Sequence, residues 1–387
     1  MIEFLSPVSK GVLAHRELQP DHALGKKIRV HSAQNGMPDI SDCEIAIIGV
    51  AENRRDQDYV GTHFDFDAIR KALYGLFPGS WHLKVADLGD IQPGEAIEDT
   101  YYALSAVVEN LYKAKIIPII LGGSQDLVYA NYRAYDNRGA MVNLVNIDAK
   151  FDLGDADLPI TNTSYIGKMV VNQPYNLFNY SNIGYQTYFN SADEIALMDR
   201  LYFDAHRLGA ITADITIAEP ILRDADIVSL DIGSIKSSEL SHNNRFMPNG
   251  FDGREICALS RYAGISNRVT SFGIYELAGC KEYEGAAMMA AQIIWYFVEG
   301  VNYRIADDDF TQEEHYVTYK VPVNEEVLIF KKSKKTGRWW LELPFISNLD
   351  NKLKRHTLLP CTYRDYEDAC NQNIPDRWFN ARRKNEL

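Results

Sequence analysis

Three short stretches of this chain set chemically capable residues directly behind apolar runs. The run at 116–121 leads into Gly122-Gly123-Ser124-Gln125-Asp126. The run at 142–147 leads into Asp148-Ala149-Lys150-Phe151-Asp152, and the run at 227–230 into Asp231-Ile232-Gly233-Ser234. A carboxylate that closes a buried strand stands where parallel-sheet proteins bind ligands. Brought together, Asp148, Asp152 and Asp231 repel one another unless a cation or a proton lies between them. The plainer alternative is that strand-end aspartates cap turns and helices. Spacing alone leaves both open.

The elements that position these residues follow from the apolar pattern. Buried strands are expected at 45–50, 84–86, 116–121, 141–147, 227–232 and 269–274. Helical spacing is found at 66–77, 97–113, 124–135, 193–208, 253–264 and 284–297. Strands alternating with helices predict an α/β fold, a parallel sheet with helices on both faces. The pattern changes after about residue 300. Segments 327–332 and 338–343 flank Ser333-Lys334-Lys335-Thr336-Gly337 and read as a β-hairpin. The expected organisation is an α/β domain over 1–300, with an N-terminal arm at 1–43, and a C-terminal extension over 301–387 packed on it. Trp339, Trp340, Trp378 and Phe379 are its candidate anchors, and alternation sends Trp339 and Trp340 to opposite faces.

Composition narrows the function classes. A formal charge of -13 disfavours broad binding to nucleic acid or anionic membranes. Five widely spaced cysteines without a C-x-x-C motif read as reduced thiols, and Cys257 and Cys280 as core thiols rather than nucleophiles. No apolar run approaches 18 residues, so no membrane span is expected. The first ten residues lack a basic region followed by an apolar one, so no signal peptide is expected either. The expected compartment is the cytoplasm.

The strand-end segments resemble the signature blocks of the ureohydrolases: arginase, agmatinase and formimidoylglutamase. That family carries G-G-[DN]-H, D-A-H-x-D and S-x-D-x-D-x-x-D-P in this order. Further blocks agree: Asp65-Phe66-Asp67-Ala68-Ile69-Arg70, Ala86-Asp87-Leu88-Gly89-Asp90, the segment 248–255, and Ser271-Phe272-Gly273-Ile274-Tyr275-Glu276. The resemblance spans about 45–298. It implies a three-layer α/β/α, arginase-like fold. It also implies a site where two His and four Asp hold two Mn²⁺ ions and a bridging hydroxide.

Position by position, those ligands fall on Gln125, Asp148, Lys150, Asp152, Asp231 and Gly233. Three carboxylates remain and both histidines are replaced. The later Asp-Pro of the third block reads Lys236-Ser237, and no His follows Asp152 until His206. A Lys ammonium competes with a metal ion for its site, and glycine offers no ligand atom. Lys150 is expected to act as an internal cation pairing with Asp148, Asp152 or Asp231. Glu276 falls where the family contacts the cationic end of its substrate. Arg54 and Arg55, after the first strand, are candidates to face a substrate carboxylate or to be solvated.

The resulting expectation is a divergent ureohydrolase without dinuclear-manganese activity: a pseudoenzyme acting as a binding or scaffold protein, with no cofactor. The alternative is an active hydrolase of a linear amidine or guanidino compound, of formimidoylglutamate, agmatine or arginine type. It would have a reduced metal site in which manganese is held by Asp148, Asp152 and Asp231. Homo-oligomers are expected, and the C-terminal extension is the candidate surface for a protein partner.

Overall fold

The computed structural model describes residues 2–58, 64–240, 247–278, 284–307, 309–343 and 358–386. Nine strands form one sheet: β1 (Arg29–Val30), β2 (Ile45–Val50), β3 (Val85–Ile91), β4 (Ile117–Gly122), β5 (Val142–Ile147), β6 (Leu177–Tyr185), β7 (Asp204–Arg207), β8 (Ile227–Asp231) and β9 (Ser271–Tyr275). Their order is β1-β3-β2-β4-β9-β8-β5-β6-β7, and every pair is parallel.

Residues alternate across the sheet, and each face has its own core. Ile45 and Ile47 pack into one apolar cluster with Leu73, Ile256, Ile293 and Phe297. Ala46, Ile48 and Val50 pack into another with Leu104, Val107, Leu127 and Ile166. Helices Asp67–Gly75, Gly253–Ile265 and Glu284–Asn302 cover the first face, and Ile97–Lys113, Leu127–Arg133 and Tyr165–Val171 the second. The result is three layers, with β4, β9, β8 and β5 contiguous at the centre of the sheet.

Two of the resembling blocks meet in a buried charge cluster. Arg70, fully buried, reaches Asp87 at 2.9 Å and Asp90 at 2.8 Å, and donates to the Gly89 carbonyl. The Tyr74 hydroxyl also donates to Asp87. Gly89 has φ +82, and a Cβ there would lie 1.9 Å from the Ser6 carbonyl oxygen, so a side chain is excluded.

Several sequence expectations change. The helix expected over 193–208 ends at Arg200, and 204–207 becomes the edge strand β7. Tyr202 is left-handed at φ 53. Its N–H bonds the Asp199 carbonyl and the Phe203 N–H bonds the Met198 carbonyl, a helix-ending pair that periodicity does not reveal. Strand β6 was not expected, because Leu-Phe-Asn-Tyr-Ser-Asn reads as polar. Its Asn179 and Ser181 are satisfied by Asp204 of β7. The short strand at 84–86 runs on to Ile91.

The C-terminal hairpin is part of a four-stranded antiparallel sheet, β10 (Tyr316–Val323), β11 (Glu326–Ser333), β12 (Trp339–Glu342) and β13 (Leu358–Cys361). Trp339 and Trp340 do point to opposite faces. Trp339 packs with Tyr366 and Trp378 beside the two C-terminal helices, and Trp340 with Tyr316, Leu358 and Phe310. Phe379 is 45% exposed, so it does not serve as a core anchor. Cys43, Cys257, Cys361 and Cys370 are free thiols, and Cys280 lies outside the described residues. Burial pushes the Cys257 thiol up to about 11, which keeps it from being a thiolate at neutral pH. Among the described residues, no helix is long and apolar enough to cross a membrane.

Replacing Arg70 with Met leaves Asp87 and Asp90 buried beside an apolar chain. The expected loss is about 3–5 kcal/mol of unfolding free energy, the usual scale for breaking a buried pair. Urea denaturation reads it, and a loss below about 1 kcal/mol would remove the cluster as the fastening of this helix to β3.

Candidate functional site

The strand order places the candidate residues at one edge. Gln125 follows β4, Glu276 follows β9, Asp231 closes β8, and Asp148, Lys150 and Asp152 follow β5. These four neighbouring strands deliver them to the carboxyl end of the sheet, where parallel folds hold ligands.

Asp148 and Asp152 are 2% and 3% exposed. One Asp148 oxygen accepts the Lys150 backbone N–H at 2.9 Å, and the other accepts the Asn146 side-chain amide at 3.2 Å. Asp152 has φ 52, a left-handed turn that brings its side chain back to hydrogen-bond Asp148. The second oxygen of Asp152 has no hydrogen-bond partner among the described residues, and neither has the buried hydroxyl of Tyr165. Burial, and then the neighbouring Asp148 and Asp231 carboxylates, hold Asp152 well above the usual carboxylate range. Burial raises Asp148 as well, and its backbone bond from Lys150 works against that rise. Both shifts favour the protonated form, and the pull is stronger on Asp152, which faces the Asp148 and Asp231 carboxylates.

Lys150 does not form the expected ion pair. It is half-buried, and its ammonium lies within 4 Å of none of Asp148, Asp152 and Asp231. Its charge lowers the pKa of Asp148 and Asp152 from a distance, but less than burial raises both. The backbone explains the difference: the Lys150 N–H is committed to Asp148, and its carbonyl accepts from Asn182.

Gln125 is 2% exposed, and its side-chain amide donates to Asn146 at 3.0 Å. Its backbone N–H donates to Glu276 at 2.9 Å. Glu276, at φ 62, also accepts from Asn162 at 3.1 Å. Asp231 accepts the Gly233 N–H at 2.7 Å, and a Cβ on Gly233 would come within 3.1 Å of that carboxylate. Arg54 grips Glu52 and donates to the carbonyls of Gly94 and Glu95, while Arg55 pairs with Glu98 at 3.3 Å. Lys236 is half-buried and His206 sits on the edge strand β7, away from the four central strands.

Sequence reasoning missed three contributors. Asn146 is fully buried and bridges Gln125 to Asp148. A polar residue inside the apolar run Val-Asn-Leu-Val-Asn-Ile was the available signal. Asn162 comes from a loop with no motif. Asp126 is fully buried beside the Tyr101 hydroxyl, and burial raises it to about 6. Among the described residues, no group of three His, Cys, Asp or Glu side chains is placed to hold a metal ion.

Asp152→Asn should keep the left-handed turn, which Asn tolerates, and the hydrogen bond to Asp148. Because the folded pKa is raised, wild-type stability falls as pH rises from about 4 toward that pKa. The variant lacks this penalty. It should be more stable than wild type at pH 7, with the difference vanishing near pH 4. Denaturation at the two pH values checks this, and a variant less stable at pH 7 would mean Asp152 is ionised.

A model of the arginase family matches residues 43–299. A formimidoylglutamase from Corynebacterium efficiens is 30% identical over 152 residues, covering 38% of this chain and 46% of that protein, so the chain spans under half the length of this relative. The structure of a Bacillus subtilis formimidoylglutamase superposes with a TM-score of 0.62 at 19% identity, covering 70% of this chain and 91% of that one. A Trypanosoma cruzi formiminoglutamase with Mn²⁺ gives 0.60 at 20% identity, covering 69% and 96%. The family match covers well over half of the chain and contains all four site-bearing strands, so the chain belongs to the arginase family of ureohydrolases.

Proposed function

We propose that this chain is a non-catalytic member of the arginase family, a binding or scaffold protein whose site is neutralised by its own groups instead of by two manganese ions. The observation that carries this reading is the state of the two carboxyls on the β5 turn. Both oxygens of Asp148 already accept protein N–H groups, and burial beside the Asp148 and Asp231 carboxylates favours the protonated form of Asp152. A carboxylate ligates a divalent ion only when ionised and free to turn its lone pairs outward.

The neighbouring donors fit manganese poorly. Gln125 offers an amide whose N–H₂ is committed to Asn146, Lys150 brings a positive charge, and Gly233 brings no side chain. Asp231 folds onto the Gly233 N–H. Hard divalent ions of this class favour several oxygen or imidazole ligands, and two ions need more than three carboxylates supply. This donor set does not fit two manganese ions. Residues beyond the family match, 300–387, add the second sheet, and the protein partner is assigned to that added surface.

The second reading is a hydrolase with a reduced site. The names of the relatives favour it, because formimidoylglutamases recur among them and one is crystallised with Mn²⁺. Assays with formimidoylglutamate, agmatine and arginine in excess Mn²⁺ separate the two. Background rates for all three are expected. Turnover that is lost in Asp231→Ala would establish the hydrolase and end the scaffold reading.

A further inference from the structure

A second polar site lies far from the β5 turn, at the seam between the parallel sheet and the C-terminal extension. Three arginines converge on a cavity of about 40 Å³: Arg223 at the end of the helix Ala218–Arg223, Arg268 in the loop before β9, and Arg338 just before β12. Trp340 and Phe310 form its aromatic wall.

Arg223 is the least expected of the three. It is 5% exposed, and its guanidinium lies over the Trp340 ring at 4.5 Å from the centroid. Its Nη2 donates to the carbonyls of Trp339 and Cys361 at 3.1 Å. Its Nη1 and Nε find no hydrogen-bond acceptor among the described residues, although Nε lies 3.3 Å from Glu219. A buried guanidinium with unsatisfied donors is costly unless something completes it.

The acidic groups around the cavity are arranged to hold the arginines. Glu219 lies 3.3 Å from Arg223 and 3.2 Å from Arg338. Asp224 and Asp226 lie 3.4 and 3.8 Å from Arg268, and Asp226 is also held by Arg138 at 2.9 Å. Among the described residues, Asp307 is the carboxylate that lines the cavity, paired with Arg338 at 3.4 Å and bonded by Thr336. These carboxylates balance the guanidiniums in charge, and what the cavity offers an anion is the unsatisfied Nη1 and Nε donors of Arg223.

We infer that this seam binds one oxyanion group, a phosphoryl or carboxylate head, held by the free N–H groups of Arg223 together with Arg268 and Arg338. Arginine forks match such groups in geometry, and charge-assisted bonds of this kind are about twice as strong as neutral ones. The space admits a head group of a few heavy atoms rather than a whole drug-sized ligand, since about 10–15 Å³ on this measure already holds a water. The occupant bridges both sheets: Arg223 and Arg268 belong to the family-matched region, and Arg338 and Trp340 to the extension beyond it. This goes beyond the proposed function and is independent of whether the β5 site is catalytic.

Isothermal titration of the full chain tests the site, with inorganic phosphate in one arm and acetate in the other. Sodium chloride at matched ionic strength is the control. Saturable binding of phosphate identifies a phosphoryl ligand, and saturable binding of acetate alone a carboxylate ligand. Arg268→Gln, the most exposed of the three changes, should weaken that binding by about tenfold or more with an unaltered circular dichroism spectrum. If that variant fails to fold, Arg338→Gln takes its place with the same expectation. No saturation with either anion means the seam holds water alone and overturns the proposal. So does binding of equal strength in the variant.

Discussion

Asp148 and Asp152 leave one strand on a single turn, and both are removed from water. Two carboxyls so placed cannot both be charged without a counter-ion, and the rest of the site is arranged around that constraint. The left-handed turn at Asp152 folds one carboxyl onto the other. Asn146, from inside β5, supplies a donor to Asp148 and ties Gln125 into the same network. The parallel order β4-β9-β8-β5 is what brings Gln125, Glu276, Asp231 and the β5 turn to one edge. Remove that order and the polar residues are scattered strand ends with no common chemistry.

Much of this was legible in the residues. The helix at 97–113 and the strand at 45–50 lie where the apolar pattern puts them, because one face or both faces of each are buried. The strand-end positions Gln125, Asp148, Asp152 and Asp231 were legible for the same reason: a buried strand must end, and its first polar residue marks where. Strand β6 was hidden because its polar side chains are satisfied by partners distant in sequence, such as Asp204 for Asn179. The Lys150 pairing was misjudged because sequence proximity to two aspartates says nothing about where a long side chain is directed. Its backbone, rather than its ammonium, makes the contact.

The extension changes what the family fold presents. A second sheet built on Trp339 and Trp340 sets one tryptophan against the C-terminal helices. It gives the other to Arg223 of the first sheet's layer. Arg223 thereby serves as a fastening through its Nη2 bonds to Trp339 and Cys361. It keeps further donors for a second role. The molecule thus carries a carboxyl cluster at the sheet edge and an arginine cluster at the seam, besides the buried pairing of Arg70 with Asp87 and Asp90.

The central claim is that protons and protein N–H groups, rather than metal ions, compensate the carboxyls at the sheet edge. Metal content is the direct test: the protein is purified with excess Mn²⁺, exchanged into metal-free buffer, and its bound metals are counted by mass spectrometry. The account predicts manganese well below one ion per chain, with the same melting temperature in Mn²⁺ and in EDTA. Two manganese ions per chain, lost together with thermal stability on chelation, would contradict it.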